Sequence, residues 1–460
     1  MTETFTTAPT RWGGRRDGRV AATGFFGTAC LDGVWWLVDP EGGLVLSKGV
    51  NNVRIDPDRA GNTERVPYAE ACLEKYGSAE AWRAAAAARL AAWGLNTVGA
   101  WSDEAVAASG PAPLALTPLL DLGQKFAFSF AGPALPWGDA FPDVFDPGFE
   151  PFARRRAEAL CGPRRDDPSV LGWFADNELR WGPDWRGRDE LLTLFLNLPP
   201  ERPGRRAAVA HLRRRYPDFA GFDAIWRTRL NGFEALETRT APVEQPYPRP
   251  AIYDRDPAHE ARLNRLDPDR AAFVADCDAF SAEIARRYFA ITTAVLRAVA
   301  PNHLALGCRF HFPPQAEVIA EAGRHLDVVS FNCYVADPVA AIATYAPAGR
   351  PLLIGEFSVR GDDAGLPNTR GASPRVATQA ERAAMLRRFV TAAVQQPALV
   401  GYHWFEHADQ PAEGRPDGEN SNYGTVTIRD EVYAELTAAL TGINREADAL
   451  HRAAQPPLVA

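Results

Sequence analysis

The stretch ALVGYHWFEHADQ, residues 398–410, decides the fold, because it admits two incompatible readings. Within it His403-Trp404-Phe405-Glu406-His407 spells H-x-x-E-H, the zinc-binding pattern of the inverted zinc peptidases. That pattern needs a helix, where residues four apart share a face. Upstream, Thr378-Gln379-Ala380-Glu381 is a capping box that opens a helix. Leu386, Phe389, Val390 and Ala393 form its apolar face, and it must end before Pro397. The run after Pro397 is short, aromatic and β-rich, which is strand chemistry. On a strand four residues span roughly 13 Å. Two imidazoles that far apart cannot share one zinc, whose bonds to nitrogen are about 2 Å. The stretch therefore reads as a strand running out into a loop that holds Glu406 and His407. A zinc hydrolase remains an alternative that a chelator would test.

Seven similar apolar runs precede it. They are LVLSKGVNNV (44–53), LNTVGAW (95–101), PLALTPLL (113–120), SVLGWFADNE (169–178), HLALGCRF (303–310), LDVVSFNCY (326–334) and PLLIGEF (351–357). Helical patterns separate most of them. One starts at the Ser78 cap and stops at Gly94; another opens at Asp267-Pro268 and runs to about residue 300. Eight β–α alternations predict an α/β protein, a (β/α)8 TIM barrel. A doubly wound open sheet is the alternative. Two β-rich runs near the start, split by Asp32-Gly33 and by Asp39-Pro40-Glu41-Gly42-Gly43, predict an N-terminal β-hairpin lead-in. The long gap between the fourth and fifth strands predicts a helical insertion at about 182–257, at the rim. The expected organisation is a flexible lead (1–22), a catalytic barrel (23–445) and a C-terminal tail (446–460).

The chain is 46% hydrophobic with a formal charge of −8, so it is globular and nothing favours nucleic acid or an anionic membrane as partner. The one basic run, from Arg205 and Arg206 to Arg213, Arg214 and Arg215, has helical spacing and is expected to be a solvated helix face. No apolar stretch reaches the roughly 18 residues of a membrane span. The polar first residues show no apolar leader, and the six cysteines are scattered without C-x-x-C pairs, so a cytoplasmic location with reduced thiols is expected. No cofactor or metal is expected. A homo-oligomer is compatible with the sequence.

In a barrel, chemistry belongs at the carboxyl ends of the strands. Glu178 ends SVLGWFADNE and Glu356 ends PLLIGEF. Either acid alone could be structural. Two on separate strands supply what glycoside hydrolysis needs: one carboxyl to protonate the departing oxygen, another to attack or to activate water. Asn177 can offer its amide to a sugar hydroxyl, whereas Asp176 is as suited to holding local structure.

FADNE (174–178) and IGEF (354–357) resemble the acid/base and nucleophile strands of clan A glycoside hydrolases. More closely, the chain resembles glycoside hydrolase family 50, the β-agarases. The matching stretches include WWLVDPEGGLVLSKGVNNVR (35–54), GLNTVGAWSD (94–103), GWFADNELRWG (172–182), VVSFNCY (328–334) and GYHWFEHADQP (401–411), in family order. The resemblance implies a retaining β-glycosidase acting on β-galactoside-type oligosaccharides by double displacement. Glu178 would be general acid/base and Glu356 nucleophile. Tyr334 would hydrogen-bond Glu356, and Trp404 would form the sugar platform. Asn52, Arg54, Trp101, Arg309 and His403 would line the pocket with Asn177. Trp101 also fits a core position, and Arg54 could simply pair with a carboxylate. The alternatives are an exo-β-glycosidase of the same clan with another specificity, β-glucosidase-like, and a non-catalytic carbohydrate-binding barrel.

Overall fold

The structure, a computed structural model, describes residues 8–16, 19–131 and 141–454. It opens with an antiparallel hairpin, β1 (Gly27–Leu31) and β2 (Val34–Val38). Leu31 pairs with Val34, leaving the two-residue loop Asp32-Gly33. Both loop residues have positive φ (53° and 82°), the type I′ geometry that matches strand twist and that Asp-Gly favours. β3 (Leu44–Val45) adds to β2 antiparallel.

Eight parallel strands come next in the chain, each inside one of the predicted runs. β4 (Ser47–Val50), β5 (Thr97–Val98) and β6 (Ala115–Leu116) come first, then β7 (Gly172–Phe174) and β8 (Leu304–Gly307). β9 (Val329–Asn332) and β10 (Leu352–Phe357) are next. A small pair, β11 (Arg360–Gly361) and β12 (Arg375–Val376), precedes the last long strand, β13 (Leu399–Trp404). Six strands form one parallel sheet in the order β6-β5-β4-β13-β10-β9, and β7 pairs with β8. Parallel bridges Leu116↔Val170 and Leu119↔Phe174 join β7 to the β6 edge, and Phe310↔Phe331 joins the β8 segment to β9.

The helices between strands start where the sequence places caps. Ser78 accepts from the Ala81 amide at 3.2 Å, and Asp267 from the Arg270 amide at 3.0 Å, opening Pro268–Val299. Thr378 accepts from the Glu381 amide, and the Glu381 carboxylate accepts from the Ala377 amide. The insertion is helical: Leu191–Leu196, Pro203–Arg215, Phe219–Trp226, Phe233–Thr238 and Pro257–Leu266. Arg205 departs from the expected solvated face. It is buried and donates to the carbonyls of Leu198 and Leu236, while Arg213 and Arg214 pair with surface glutamates.

Two apolar cores result. The larger lies between strands and helices, and a smaller one gathers Ala115, Leu171, Leu306, Leu353 and Val400 with Trp12 and Phe26. Trp12 corrects the expected flexible lead. Residues 10–16 are fastened because Thr10 donates to buried Asp39 and Arg15 bridges to Leu44; residues 1–7 and 17–18 lie outside the described set. The tail boundary also moves. The last helix runs Ala434–Arg452 and buries Ile443, Ala447 and His451, so the fold continues past residue 445; residues 455–460 lie outside the described set.

Candidate active site

Just past β4, β5, β6, β7 and β8 the chain makes the same unusual move. Asn52, Trp101, Asp121, Glu178 and Arg309 all have φ between 49° and 60°. This left-handed region costs a non-glycine residue on the order of 1 kcal/mol or more, and such residues gather at functional sites. Here four of the five side chains converge. Asn52 donates to Glu406, Trp101 meets Phe405 edge-on at 6.2 Å, Glu178 meets Asn332, and Arg309 meets Glu356.

Glu356 lies in β10, its side chain 5% exposed. Arg309 Nη2 donates to Oε1 at 2.8 Å and to the Gly355 carbonyl at 2.9 Å. Tyr334 donates its hydroxyl to Oε2. Gly355 is required here: a Cβ would come within 2.9 Å of Arg309 Nε and of Asn332 Oδ1. The guanidinium also lies over the rings of Trp101 (4.6 Å) and Phe174 (4.9 Å), which solvate a fully buried cation.

Glu178 hangs its backbone on the next strand, its amide donating to the Cys308 carbonyl at 3.1 Å. Its Oε1 accepts from Asn332 Nδ2 at 2.7 Å and lies 2.9 Å from His311 Nδ1. Its side chain is 19% exposed, more open than Glu356. The two carboxyls and the imidazole titrate as a group. Burial and the charge of Glu178 push Glu356 up to about 7, against Arg309 and Tyr334. Burial pushes Glu178 up as well, but the His311 cation and the Asn332 amide outweigh it and hold Glu178 low, at about 2. The two carboxyls are thus pushed in opposite directions, Glu356 up and Glu178 down.

Of the other expected residues, Asn177 stands beside Asn332 (3.3 Å). Arg54 is half-buried and tied to Asp56 at 2.8 Å. Asp176 is structural. It is fully buried, accepts from the amides of Gly123 and Gln124 at the start of helix Leu122–Ala131, and takes the Tyr288 hydroxyl at 2.6 Å.

Two expectations are corrected. Trp404 is not at the pocket. It is fully buried on the outer face of β13, donates to the Tyr423 carbonyl at 2.8 Å and packs on Arg382 and Phe357. Strand side chains alternate, so the next ring, Phe405, takes the inner position against Trp101 and Tyr334. His403 points inward but below the site. Its ring crosses Gly49, where a Cβ would sit 2.4 Å away, and its Nε2 meets Ser47 Oγ at 2.8 Å. His407 lies elsewhere, between the rings of Tyr68 and Trp82. The two imidazoles of the H-x-x-E-H string therefore face different surroundings, and among the described residues no group of three His, Cys, Asp or Glu side chains is arranged to hold a metal.

Sequence reasoning does not pick out His311, Asn332 or Phe405 as members of the site, and it leaves Glu406 open between substrate and solvent, whereas the structure buries Glu406 against Asn52. A signal exists for two of them. His311 is two residues beyond Arg309, and Asn332 two before Tyr334, the spacing of one strand face.

No protein-family model matches the chain. It is 26% identical over 95% of its length to β-agarase B, and 27% identical over 92% to β-agarase A, both of Vibrio sp. (strain JT0107). The chain spans about half the length of these curated relatives, 49% and 46%. Its fold matches that of PfGH50B with a TM-score of 0.78 at 24% identity, over 96% of this chain and 69% of that one. An exo-β-agarase gives 0.77 at 23% identity, over 97% and 69%. BpGH50 gives 0.71 at 22% identity, over 99% and 90%. In sequence this chain is similar to β-agarases, and in fold it is similar to PfGH50B and BpGH50.

Proposed function

We propose that this chain is a retaining β-glycosidase on a closed (β/α)8 barrel. It hydrolyses β-galactoside-type, agar-derived oligosaccharides by double displacement, with Glu178 as acid/base and Glu356 as nucleophile. The observation that carries the reading is the pair itself: two carboxyls at the ends of separate parallel strands, each with its own donors, the charge of Glu178 felt at Glu356. The parallel bridges at both seams between the sheets support the closed ring. The substrate class rests on the β-agarase relatives. An exo-β-glycosidase with another sugar specificity uses the same machinery, and a screen of β-glycosides against agaro-oligosaccharides separates the two.

In the first step a Glu356 oxygen bonds to the anomeric carbon as the glycosidic C–O bond breaks. The bonding electrons leave on the departing oxygen, which takes a proton from Glu178. In the second step Glu178 takes a proton from water, the water oxygen bonds to the same carbon, and Glu356 departs as carboxylate. Arg309 and Tyr334 aim Glu356 and take up its charge when it is released. The first step needs the proton on Glu178, and His311 Nδ1, 2.9 Å from Oε1, is the neighbouring group that can exchange one with it. The reading includes a cytoplasmic location, where the unpaired cysteines stay reduced.

The test is Glu356→Ala with azide. Loss of hydrolysis by about a thousandfold or more, some 4 kcal/mol of transition-state stabilisation, with rescue by azide to an α-glycosyl azide, is the expected result. Residual hydrolysis near the wild-type rate sinks the nucleophile assignment.

A further inference from the structure

A chain of rings runs out of the site on the Glu178 side. Trp101, Phe405, Tyr334, His311, Phe312 and Tyr253 succeed one another, each centroid within 6.4 Å of the next. The inner members serve the Glu356 half. The outer members do not: Phe312 meets His311 at a tilt with centroids 3.8 Å apart, and Tyr253 meets Phe312 at 4.5 Å. Tyr253 belongs to the helical insertion and is 43% exposed. Trp185, in the same insertion, is 65% exposed, far more than an indole of that size usually is.

The segments that carry these exposed rings are tied down by their neighbours. Asp184 and Arg186 flank Trp185 and form a buried ion pair at 2.6 Å, their side chains 3% and 7% exposed. Arg186 Nη1 also donates to the Glu178 carbonyl at 2.7 Å, which fixes the Trp185 loop to the acid's own backbone. The Ile252 amide donates to the Pro183 carbonyl at 2.7 Å and joins the two aromatic segments. Beneath them Glu190, fully buried, pairs with Arg255 at 2.7 Å and with Arg249 at 3.2 Å. Burying that much charge costs stability unless it is paired, so these ion pairs tie the two segments to the body of the insertion.

We infer that Trp185, Tyr253 and Phe312 form a binding site for the sugar residues of the leaving group, those beyond the scissile bond. The inference rests on the glycosidase reading. The departing oxygen must pass Glu178, and the ledge begins one ring beyond His311, which touches that carboxylate. Pyranose C–H faces settle on aromatic rings, and Tyr and Trp add a polar edge for hydroxyls. Phe312 and Tyr253 continue the line of inner rings, and the Ile252–Pro183 bond brings the Trp185 segment to theirs, so one oligosaccharide can lie along them.

The experiment compares wild type with Trp185→Ala, Tyr253→Ala and the double variant on two substrates. One is an agaro-oligosaccharide. The other is β-galactosyl fluoride, whose leaving group is a single atom. The expected result is a loss of at least tenfold in kcat/KM on the oligosaccharide for the double variant, with the fluoride within twofold. Trp185→Phe and Tyr253→Phe, which keep a ring, should restore most of the loss. Equal losses on both substrates, or no loss on either, overturn the inference. A wild-type chain inert on both overturns the glycosidase reading instead. Calorimetric titration with the oligosaccharide then still decides the ledge, since unchanged affinity in the double variant sinks it.

Discussion

His311 Nδ1 lies 2.9 Å from Glu178 Oε1, so an imidazole, not an arginine, is the charge nearest the proposed acid. Burial disfavours the His311 cation, yet Glu178 holds it above its ordinary value, and the cation in turn holds Glu178 down. His311→Gln deletes that cation. Glu178, held low by that cation, should then titrate higher. Carbon-13 detection of the glutamate carboxyls in a Glu356→Gln background would show the upward shift. A Glu178 titration that stays put refutes the coupling.

Glu178→Ala should distinguish leaving groups. Protonation by a positioned acid contributes about 10²–10⁴-fold. β-Galactosyl fluoride and dinitrophenyl glycosides depart with little such help, so their turnover should fall far less than that of an oligosaccharide. Equal losses on all substrates would argue against the acid role.

Glu356 makes stability depend on pH in a defined sense. Its folded value is raised from 4.5 to about 7, so the folded state favours the neutral carboxyl. Its contribution is fully present below pH 4.5 and is lost as pH rises through 7. At one pKa unit per 1.36 kcal/mol the loss is on the order of 3 kcal/mol at most. Glu356→Gln should therefore raise the Tm more at pH 8 than at pH 5. A gain that is equal at both, or larger at pH 5, contradicts the raised value.

The histidines of the H-x-x-E-H string work in the opposite sense. His403 and His407 are fully buried, and burial drives both from 6.5 to about 3. A base with a depressed value stabilises the fold above pH 6.5 and loses that contribution as pH falls toward 3. Acid unfolding should take up about two protons from this pair. Neither ring nitrogen of His407 has a hydrogen-bond partner among the described residues, so His407→Phe should be tolerated at pH 7.5 and should flatten the acid limb of a Tm-against-pH curve.

Trp404 and Phe405 should part company. Trp404→Phe loses the indole bond to the Tyr423 carbonyl, at a cost of about 1–3 kcal/mol in stability, while kcat/KM stays within twofold. Phe405→Leu keeps apolar volume but removes the ring that faces Trp101 and Tyr334. It should lower kcat/KM about tenfold, near 1.4 kcal/mol, with little change in Tm. The reverse pattern would put Trp404 back at the sugar.

How much the sequence discloses depends on the range of the forces involved. Strands and helix starts are local, and the Asp32-Gly33 turn, the Ser78 and Thr378 caps and all eight parallel runs can be read directly. The two carboxylates stand out because each ends an apolar run. The face a residue takes is harder. A shift of one position exchanges inside for outside, and the choice between Trp404 and Phe405 turns on where β13 stops. Contacts across long separations leave no local trace. Asp39 anchors a lead 29 residues away, Asp176 caps a helix start 53 residues upstream, and nothing near His311 in the chain points to Glu178.

The left-handed turns after five successive strands have a practical use. Glycine adopts that backbone without strain. At Asn52, Trp101, Asp121, Glu178 and Arg309 it would preserve the path of each loop while deleting the side chain that the turn presents. Most substitutions that silence an enzyme also risk its architecture; at Glu178 the glycine variant should relieve backbone strain as it removes the proposed acid. Such a chemically silent receptor would hold an uncleaved oligosaccharide long enough for its sugars to be identified by crystallography.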